Sequence, residues 1–317
     1  MSSHLQKMAP PHVRSLARVG PVVAVVGAAA LFGTTGTAQA LGPGATTGLG
    51  VGAVRLALGA LTLALLARAR RPSSGPRRWG NHLRALCIGG LAVAMYQLCW
   101  FAGLRRTGVA LGTIVGIGSG PVFAGMLHLW RHRDGLSRAW IAGTAVTVAG
   151  SVLLALRGAD GVSIDPLGLA LMAAAGLSYA VYAVAAKDCL DRGLDARGAM
   201  AGIFGVGALV TAPLLLTEPL GWLGTAGGVA MALHLGVLTI GLAYWLYGFG
   251  LSHLPAPTVV TLTLAEPLTA ATLGVAVLGE RVSSLGIVGA ALVAAGLVIA
   301  GGAERTEPGS SSSIAVG

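Results

Sequence analysis

Apolar residues in this chain come in long runs that short polar segments separate. Each run holds about 20 residues, the length that an α-helix needs to cross the hydrocarbon core of a bilayer. The predicted spans are about Pro21–Leu41, Thr46–Leu66, Leu83–Leu104, Val109–Trp130, Ala139–Leu156, Pro166–Ala186, Gly198–Leu216, Gly224–Gly250 and two within Thr258–Gly302. The pattern therefore predicts an all-α integral membrane protein with ten transmembrane helices.

The composition supports a membrane protein and argues against a nucleic-acid-binding one. Charged residues make up 10% of the chain, against about 25% in soluble domains. The mean hydropathy is +0.79, too apolar for a soluble surface. The net charge of +10 comes from arginines spread over short loops, which is typical of membrane orientation. We therefore expect a lipid bilayer as a partner and no nucleic acid.

The second half of the chain repeats features of the first half at a fixed offset of 146 residues, 267 − 121 for the two prolines. The matching pairs are Pro121 and Pro267, Asp134 and Glu280, Gly143 and Gly289, and Gly150 and Gly296. Upstream, Phe101–Leu104 matches Gly248–Leu251 after a slip of one residue. This pattern predicts an internal duplication, with repeats at 21–157 and 166–302. Residues 1–20 form a basic leading segment, and the Ser-rich tail at 303–317 is expected to be disordered.

The distribution of basic residues predicts how the two repeats are oriented. Of 21 Lys and Arg residues, 16 lie in the segments of one side, 4 in those of the other, and Arg55 lies within a span. This bias predicts that both termini are cytoplasmic. Because five spans is an odd number, the second repeat must be inverted relative to the first. Ala38-Gln39-Ala40 resembles the cleavage site of a signal peptide, but the first apolar run has the length of a span.

An inverted duplication predicts a particular mechanical behaviour. Two such halves can enclose a cavity near the midplane of the membrane, and rocking motions expose that cavity to each side in turn. This is the architecture of secondary transporters.

Two ionisable residues lie well inside predicted spans. Arg55 and Glu266 each cost about 2.5–3.5 kcal/mol to insert at a helix centre. Glu266 is a candidate for contacting a substrate or carrying a proton; alternatively, it accepts hydrogen bonds from backbone freed near Pro267. Arg55 is a candidate for binding a substrate carboxylate; alternatively, it pairs with another helix or a lipid headgroup. The sequence leaves open whether Arg55 and Glu266 form an ion pair.

Other polar residues in the spans are candidates for the wall of a cavity. These substrate-binding candidates are Thr34, Thr35, Thr37 and Gln39 in helix 1, Gln97 in helix 3 and Tyr244 in helix 8. Threonines inside spans also bond backbone carbonyls without any functional role. The sequence contains no metalloprotease or phosphate-loop motif, and we expect no catalytic residue, metal or cofactor.

Several motifs together resemble the EamA family of the drug/metabolite transporter superfamily. They include Leu264–Gly274, Leu278-Gly279-Glu280, Phe32-Gly33 and Thr107–Ala110. The resemblance covers about residues 20–302 and implies ten helices in two inverted halves, cytoplasmic termini and export of amino acids or related metabolites. Two departures from the family pattern stand out: Phe32 replaces a common tryptophan, and Gly120 takes the place in the first repeat that Glu266 has in the second.

These observations lead to a functional expectation and to its alternatives. We expect a multi-pass transporter in the plasma membrane of a prokaryote that exports a small organic metabolite, such as an amino acid, by alternating access. The sequence leaves open whether a coupling ion, such as a proton, is a partner and whether the protein forms a homodimer. A non-transporting scaffold or assembly subunit is the main alternative and predicts a filled centre. A membrane-embedded enzyme would need a reactive pair of residues, and none is visible.

Overall fold

The computed structural model describes residues 11–69, 79–132, 135–155, 165–279 and 283–303. Ten long helices dominate these ranges, and no β-strand occurs within them. The helices are α1 (Pro11–Ala40), α2 (Gly48–Arg68), α3 (Leu83–Thr107), α4 (Val109–His132), α5 (Arg138–Ala155), α6 (Pro166–Asp191), α7 (Ala196–Thr211), α8 (Ala226–Leu251), α9 (Ala256–Ala276) and α10 (Ser284–Ala303). Each belongs to a segment that is long and apolar enough to cross a membrane, and for α7 this segment is Ala196–Thr217, so the predicted number of spans is confirmed. The predicted corner acids Asp134 and Glu280 and the tail from residue 304 lie outside the described residues.

The span that begins with α7 is interrupted near its end. It runs to Thr217, close to the predicted end at Leu216, but its regular part stops at Thr211. Pro213 explains this interruption, because proline has no backbone N–H to donate to the Leu209 carbonyl, and the Ala212 N–H donates there instead at 3.3 Å. A short helical turn, Leu214–Thr217, and a 3₁₀ turn, Gly221–Gly224, then lead to α8.

Helix α9 is interrupted near its middle. It consists of an α-helical part, Ala256–Leu262, a 3₁₀ turn, Thr263–Ala265, and a second α-helical part, Glu266–Ala276. Pro267 cannot donate the backbone hydrogen bond that an α-helix would direct to Thr263. The backbone N–H of Glu266 donates to the carbonyl of Thr263 instead, which tightens the chain into the 3₁₀ turn. The break places Glu266 at the start of a half-helix inside the span.

The two halves of the chain use the same packing contacts, which confirms the duplication. Gly250 of α8 meets Val25 of α1 so closely that a β-carbon at Gly250 would collide with the Val25 side chain. Gly103 of α3 meets Met172 of α6 in the same way. The two contacts are related by one offset: Met172 lies 147 residues after Val25 (172 − 25), and Gly250 lies 147 residues after Gly103 (250 − 103). In both cases the first helix of one half packs on the third helix of the other half: α1 on α8, and α6 on α3. The two contacts are therefore related by an axis between the halves.

A seam of glycines joins α5 to α10. A β-carbon at Gly143 would lie 2.6 Å from the Ala300 nitrogen, and one at Gly150 would lie 2.6 Å from the Val293 nitrogen. Gly289 and Gly296 face Gly150 and Gly143 across the seam. These are the four glycines that the sequence repeat singles out. Without side chains between them, the two backbones approach closely enough to gain van der Waals contact along their length.

An acidic N-cap fixes the start of the second repeat. The Asp165 carboxylate accepts hydrogen bonds from the backbone N–H groups of Leu167 (3.0 Å) and Gly168 (3.3 Å). Arg106, in the last turn of α3, donates to the same carboxylate at 2.8 Å. The Arg106 hydrogen bond, together with the backbone donors, holds the pKa of Asp165 below its usual value. Asp165 therefore links the end of α3 to the start of α6.

Because the folded protein lowers this pKa, the stabilisation from Asp165 is present above the unfolded pKa, about 3.9. It is lost as the pH falls through the lower folded value. We expect Asp165→Ala to lower the melting temperature in detergent at pH 7, and the gap to the wild type to close as the pH falls below about 4. Asp165→Asn keeps the capping oxygen and serves as the matched control, with a smaller loss. A gap that is independent of pH would contradict a role for the charge.

Candidate functional site

A cavity of about 420 Å³ lies between the two halves. Its lining residues with polar side-chain groups are Thr35, Gln39, Arg55, Tyr96, Gln97, Trp100, Thr113, Tyr182, Thr239, Tyr244 and Glu266. Two of the lining residues lie near the carboxyl ends of their helices: Gln39 on α1 and Leu104 on α3. Both ends lie on the same face of the protein. Tyr182 and Glu266, in the middle of their helices, lie at its deep end. The cavity therefore extends from one membrane face to about the midplane.

Arg55 enters the cavity from α2, two turns from the start of that helix. Its Nη2 donates a hydrogen bond to Oε1 of Gln97 at 2.7 Å. Gln97 is buried and in turn donates to the carbonyl of Gly52 at 3.3 Å. The guanidinium also lies 5.9 Å from the centre of the Phe101 ring, within the range of a cation–π contact. These contacts fix the position of the guanidinium.

The Arg55 guanidinium is only partly satisfied by these contacts. Its Nε is buried and has no hydrogen-bond partner among the described residues. No carboxylate of the described ranges lies within ion-pair distance of it. An arginine whose donors are unused and whose charge is unpaired is costly in an apolar setting. It is therefore a natural binding group for an anionic part of a ligand.

Glu266 reaches the cavity from the break in α9. Its carboxylate has no hydrogen-bond or ion-pair partner within the described ranges, although Arg55 acts on it electrostatically across the cavity. Glu266 lies in the first turn of the half-helix, where the helix dipole favours an acidic side chain. The cavity thus carries one basic and one acidic side chain, which make no direct contact with each other.

Aromatic rings form much of the remaining wall. The Tyr244 ring lies 4.9 Å from that of Phe32 and 4.1 Å from that of Phe204. Tyr96 stacks on Trp100 at 5.5 Å. Such rings offer an apolar surface to a solute while the charged groups hold its polar end.

The structure brings most of the predicted site residues together. Thr35, Gln39, Gln97, Tyr244, Arg55 and Glu266 all line the cavity. Thr34 and Thr37 are not among its lining residues. The Thr34 hydroxyl donates to the Leu31 carbonyl at 2.6 Å and lies 2.8 Å from Nε2 of His234, so it faces α8. On a helix, successive threonines point in directions about 100° apart, and only some of a run can face one cavity.

Some lining residues were not singled out from the sequence. These are Thr113, Thr239, Phe101 and Phe204. Thr239 belongs to a π-helical segment of α8, His234–Leu242, and its hydroxyl donates to the Leu235 carbonyl at 2.6 Å. Sequence patterns give no clear signal for π-helix, which is often found at functional sites. A single threonine in an apolar run is likewise a weak signal.

Gly33 allows α1 to pack directly on the half-helix that carries Glu266. A β-carbon at this position would lie 2.6 Å from the Glu266 carbonyl oxygen and 2.6 Å from Cβ of Thr269. Gly20, nearer the start of α1 and outside the cavity lining, has no heavy atom within 4 Å of its β-carbon position. The two glycines therefore form a matched pair, one at a crowded contact and one in open space.

We expect Gly33→Ala to impair solute binding and Gly20→Ala to leave it nearly unchanged. The added methyl group must push α1 away from α9, and overpacking of this kind costs about 1–3 kcal/mol. A cost at the middle of that range corresponds to a change of more than about tenfold in an equilibrium constant. The check is a comparison of solute flux or solute-induced thermal stabilisation for the two variants. Equal behaviour of both would show that the close contact is not needed.

Within the described ranges, no group of three or more His, Cys, Asp or Glu side chains is arranged to hold a metal ion.

Known proteins similar to this chain are consistent with this picture. The model of the EamA-like transporter family matches residues 20–156 and 166–302, one match for each half. The chain is 35% identical over 256 residues to the "Uncharacterized transporter YwfM" of Bacillus subtilis, covering 81% of this chain and 85% of that protein. It is 32% identical over 230 residues to the "Uncharacterized protein PA1977" of Pseudomonas aeruginosa, covering 72% and 75%.

A solved structure titled "Crystal structure of protein" has the same fold. It superposes with a TM-score of 0.75 at 23% sequence identity, covering 91% of this chain and 99% of that one. With ten apolar helices, two repeats and a family match over both halves, the chain is a multi-pass membrane protein that belongs to the EamA-like transporter family.

Proposed function

We propose that this protein is a secondary transporter that exports a small zwitterionic metabolite, such as an amino acid, by alternating access. The observation that carries the proposal is the presence of a basic side chain, Arg55, and an acidic one, Glu266, in one cavity without a direct ion pair. A solute that brings both a carboxylate and an ammonium group would neutralise both at once.

Each charged group suits one end of such a solute. The guanidinium of Arg55 donates one hydrogen bond to Gln97. Its other N–H groups can donate to a carboxylate, with which arginine forms strong charge-assisted hydrogen bonds. The Glu266 carboxylate accepts from an ammonium group. The aromatic wall around Tyr244 and Phe32 would contact the apolar body of the solute. The volume of about 420 Å³ lies within the usual range of small-molecule sites.

The energy source follows from what the chain lacks in sequence. It has no phosphate-binding loop, so we propose that an ion gradient or the gradient of the solute drives transport. Glu266 is the group in the cavity that can bind a proton or a cation in exchange for the solute ammonium. We place the protein in the plasma membrane with both termini in the cytoplasm, on the basis of the distribution of basic residues.

The alternative of a non-transporting scaffold predicts a filled centre between the halves. The open cavity and its two charged groups favour transport over that alternative. A scaffold would gain nothing from an arginine and a glutamate that lie inside the membrane without an oppositely charged partner, because such groups cost stability.

The proposal is tested by flux measurements with purified protein in liposomes. Radiolabelled amino acids are followed into and out of the liposomes, with and without an imposed pH gradient. We expect at least one amino acid to move faster than in protein-free liposomes, with a rate that saturates as its concentration rises. If no labelled zwitterion in the panel moves faster than in the protein-free control, the proposed solute class is wrong.

A further inference from the structure

Gln97 connects the Arg55 guanidinium to the backbone of its own helix. The Gln97 side chain lies on α3, is 4% exposed and lines the cavity. Its Oε1 accepts a hydrogen bond from Nη2 of Arg55 at 2.7 Å, and its Nε2 donates to the carbonyl of Gly52 at 3.3 Å. Gly52 lies about one turn before Arg55 on α2. One amide therefore holds the guanidinium in a fixed position relative to α2.

The chemistry of these two contacts determines which residue type fits at position 97. A guanidinium has only donors, and a backbone carbonyl can only accept. The side chain must therefore accept from Arg55 and donate to Gly52. A glutamine does both and stays neutral. A glutamate beside the guanidinium is ionised, because an opposite charge favours the charged form, and it would neutralise Arg55. Glutamine thus positions Arg55 and leaves its charge without a partner.

Two glycines of α2 make room for this arrangement. A β-carbon at Gly52 would lie 2.8 Å from Cε2 of Phe101 and 3.6 Å from Nε2 of Gln97, and one at Gly48 would lie 2.5 Å from Cδ1 of Phe101. The Phe101 ring therefore packs closely on α2, and its centre lies 5.9 Å from the Arg55 guanidinium carbon. Both groups that hold the guanidinium, an amide and an aromatic ring, are uncharged.

We propose that Gln97 keeps the charge of Arg55 available to the solute and thereby determines that the solute must carry an anionic group. Gln97 is a positioning residue, because it acts on the solute through Arg55. The inference rests on the proposed transport of a zwitterion and adds to it the residue that sets the need for a carboxylate. With a carboxylate at position 97, the protein itself would supply the anionic partner, and the solute would no longer need one.

The first test replaces Gln97 by glutamate, which has nearly the same shape. Flux at low concentration is measured for a labelled amino acid and for the labelled amine that lacks its carboxylate. We expect Gln97→Glu to lower the ratio of amino-acid flux to amine flux by at least about tenfold, because a hydrogen bond between charged groups contributes at least this factor. An unchanged ratio would overturn the proposal.

The control for this test is the same substitution in an Arg55→Gln background. Because position 97 acts through Arg55, Gln97→Glu should leave the flux ratio unchanged once the guanidinium is absent. If Gln97→Glu lowers the ratio equally in both backgrounds, the added charge acts on the solute directly, and the role assigned to Gln97 is wrong.

A second variant, Gln97→Met, separates positioning from charge. Methionine is unbranched and of similar length, but it has no amide to hold the guanidinium. We expect amino-acid flux at low concentration to fall while amine flux stays at the wild-type value, because only the amino acid uses Arg55. An equal fall for both solutes would show that Gln97 serves only the packing of α2 and α3, which would overturn the proposal.

A chemical measurement reads the state of Arg55 without any transport. Phenylglyoxal modifies arginine side chains, and mass spectrometry of the peptides locates the product. We expect Gln97→Glu to slow the modification of Arg55 by at least about tenfold, because the guanidinium then pairs with a carboxylate. Arg106, which pairs with Asp165 near the surface, is the internal reference and should react as in the wild type. Modification of Arg55 at the wild-type rate would contradict the pairing.

The two proposals fail in different ways. If the wild type transports an amino acid and neither variant at position 97 changes the flux ratio, the proposed function stands and the role of Gln97 is rejected. If the wild type transports no amino acid, the solute class is rejected. The modification of Arg55 then decides separately whether Gln97 keeps its charge available.

Discussion

Replacing Glu266 by glutamine is expected to weaken the binding of a zwitterionic solute by about 30-fold or more. Removing one partner of a buried, hydrogen-bonded charge pair costs about 2–5 kcal/mol, and 2 kcal/mol corresponds to about 30-fold. Glutamine has nearly the shape of glutamate, so the cavity and the break in α9 are retained. Flux at low solute concentration in proteoliposomes, normalised to the amount of folded protein, measures the effect.

Two further variants show whether the effect belongs to the cavity. Glu218→Gln serves as the control, because Glu218 lies outside the cavity lining and accepts a hydrogen bond from Thr47 in the loop before α2. We expect it to keep its flux. Arg55→Gln removes the other charge and should reduce flux to a similar extent. Full flux in Glu266→Gln would remove the carboxylate from the site.

Replacing Gly150 by leucine is expected to prevent the protein from reaching a stable fold. A β-carbon there would lie 2.6 Å from the Val293 nitrogen and 2.7 Å from the Gly289 carbonyl oxygen. Both are backbone atoms, which cannot move aside as a flexible side chain can. The cost should reach or exceed the upper end of the about 1–3 kcal/mol typical of overpacking. Size-exclusion chromatography in detergent and the melting temperature of the remaining monodisperse fraction measure it.

Gly205→Leu is the matched control for the seam. Gly205 lies within α7, and no heavy atom lies within 4 Å of its β-carbon position. Both substitutions add the same apolar side chain to a transmembrane helix, so their difference isolates the packing at the seam. A Gly150→Leu protein as monodisperse and as heat-stable as Gly205→Leu would mean that α5 and α10 do not rely on this contact.

Much of the fold could be predicted because membrane spans leave a strong signal in a single sequence. Long apolar runs give the number of helices, and an odd number in each repeat gives the inversion. The glycines at 143, 150, 289 and 296 repeat in sequence because they form one seam between the halves. The sequence predicted only part of the structural effect of Pro267. The proline indicated an irregularity, and the structure places a 3₁₀ turn immediately before Glu266.

The site was harder to predict, because one sequence does not show which face of each helix turns inward. Arg55 and Glu266 stood out because charge is rare inside a membrane. Neighbouring threonines on α1 could not be separated from each other, and only Thr35 of the three candidates lines the cavity. The sequence did not single out Thr239 as a lining residue. The direction of its side chain depends on the π-helical segment of α8, which changes the angle between successive side chains.

The central claim, that Arg55 and Glu266 together select a solute with two opposite charges, is tested most directly by competition among three related solutes. Flux of a labelled amino acid is measured against the same unlabelled amino acid, the amine that lacks its carboxylate and the acid that lacks its amino group. We predict that the zwitterion competes at least about 30-fold better than either single-charge analogue. Equal competition by the amine or the acid would contradict the claim.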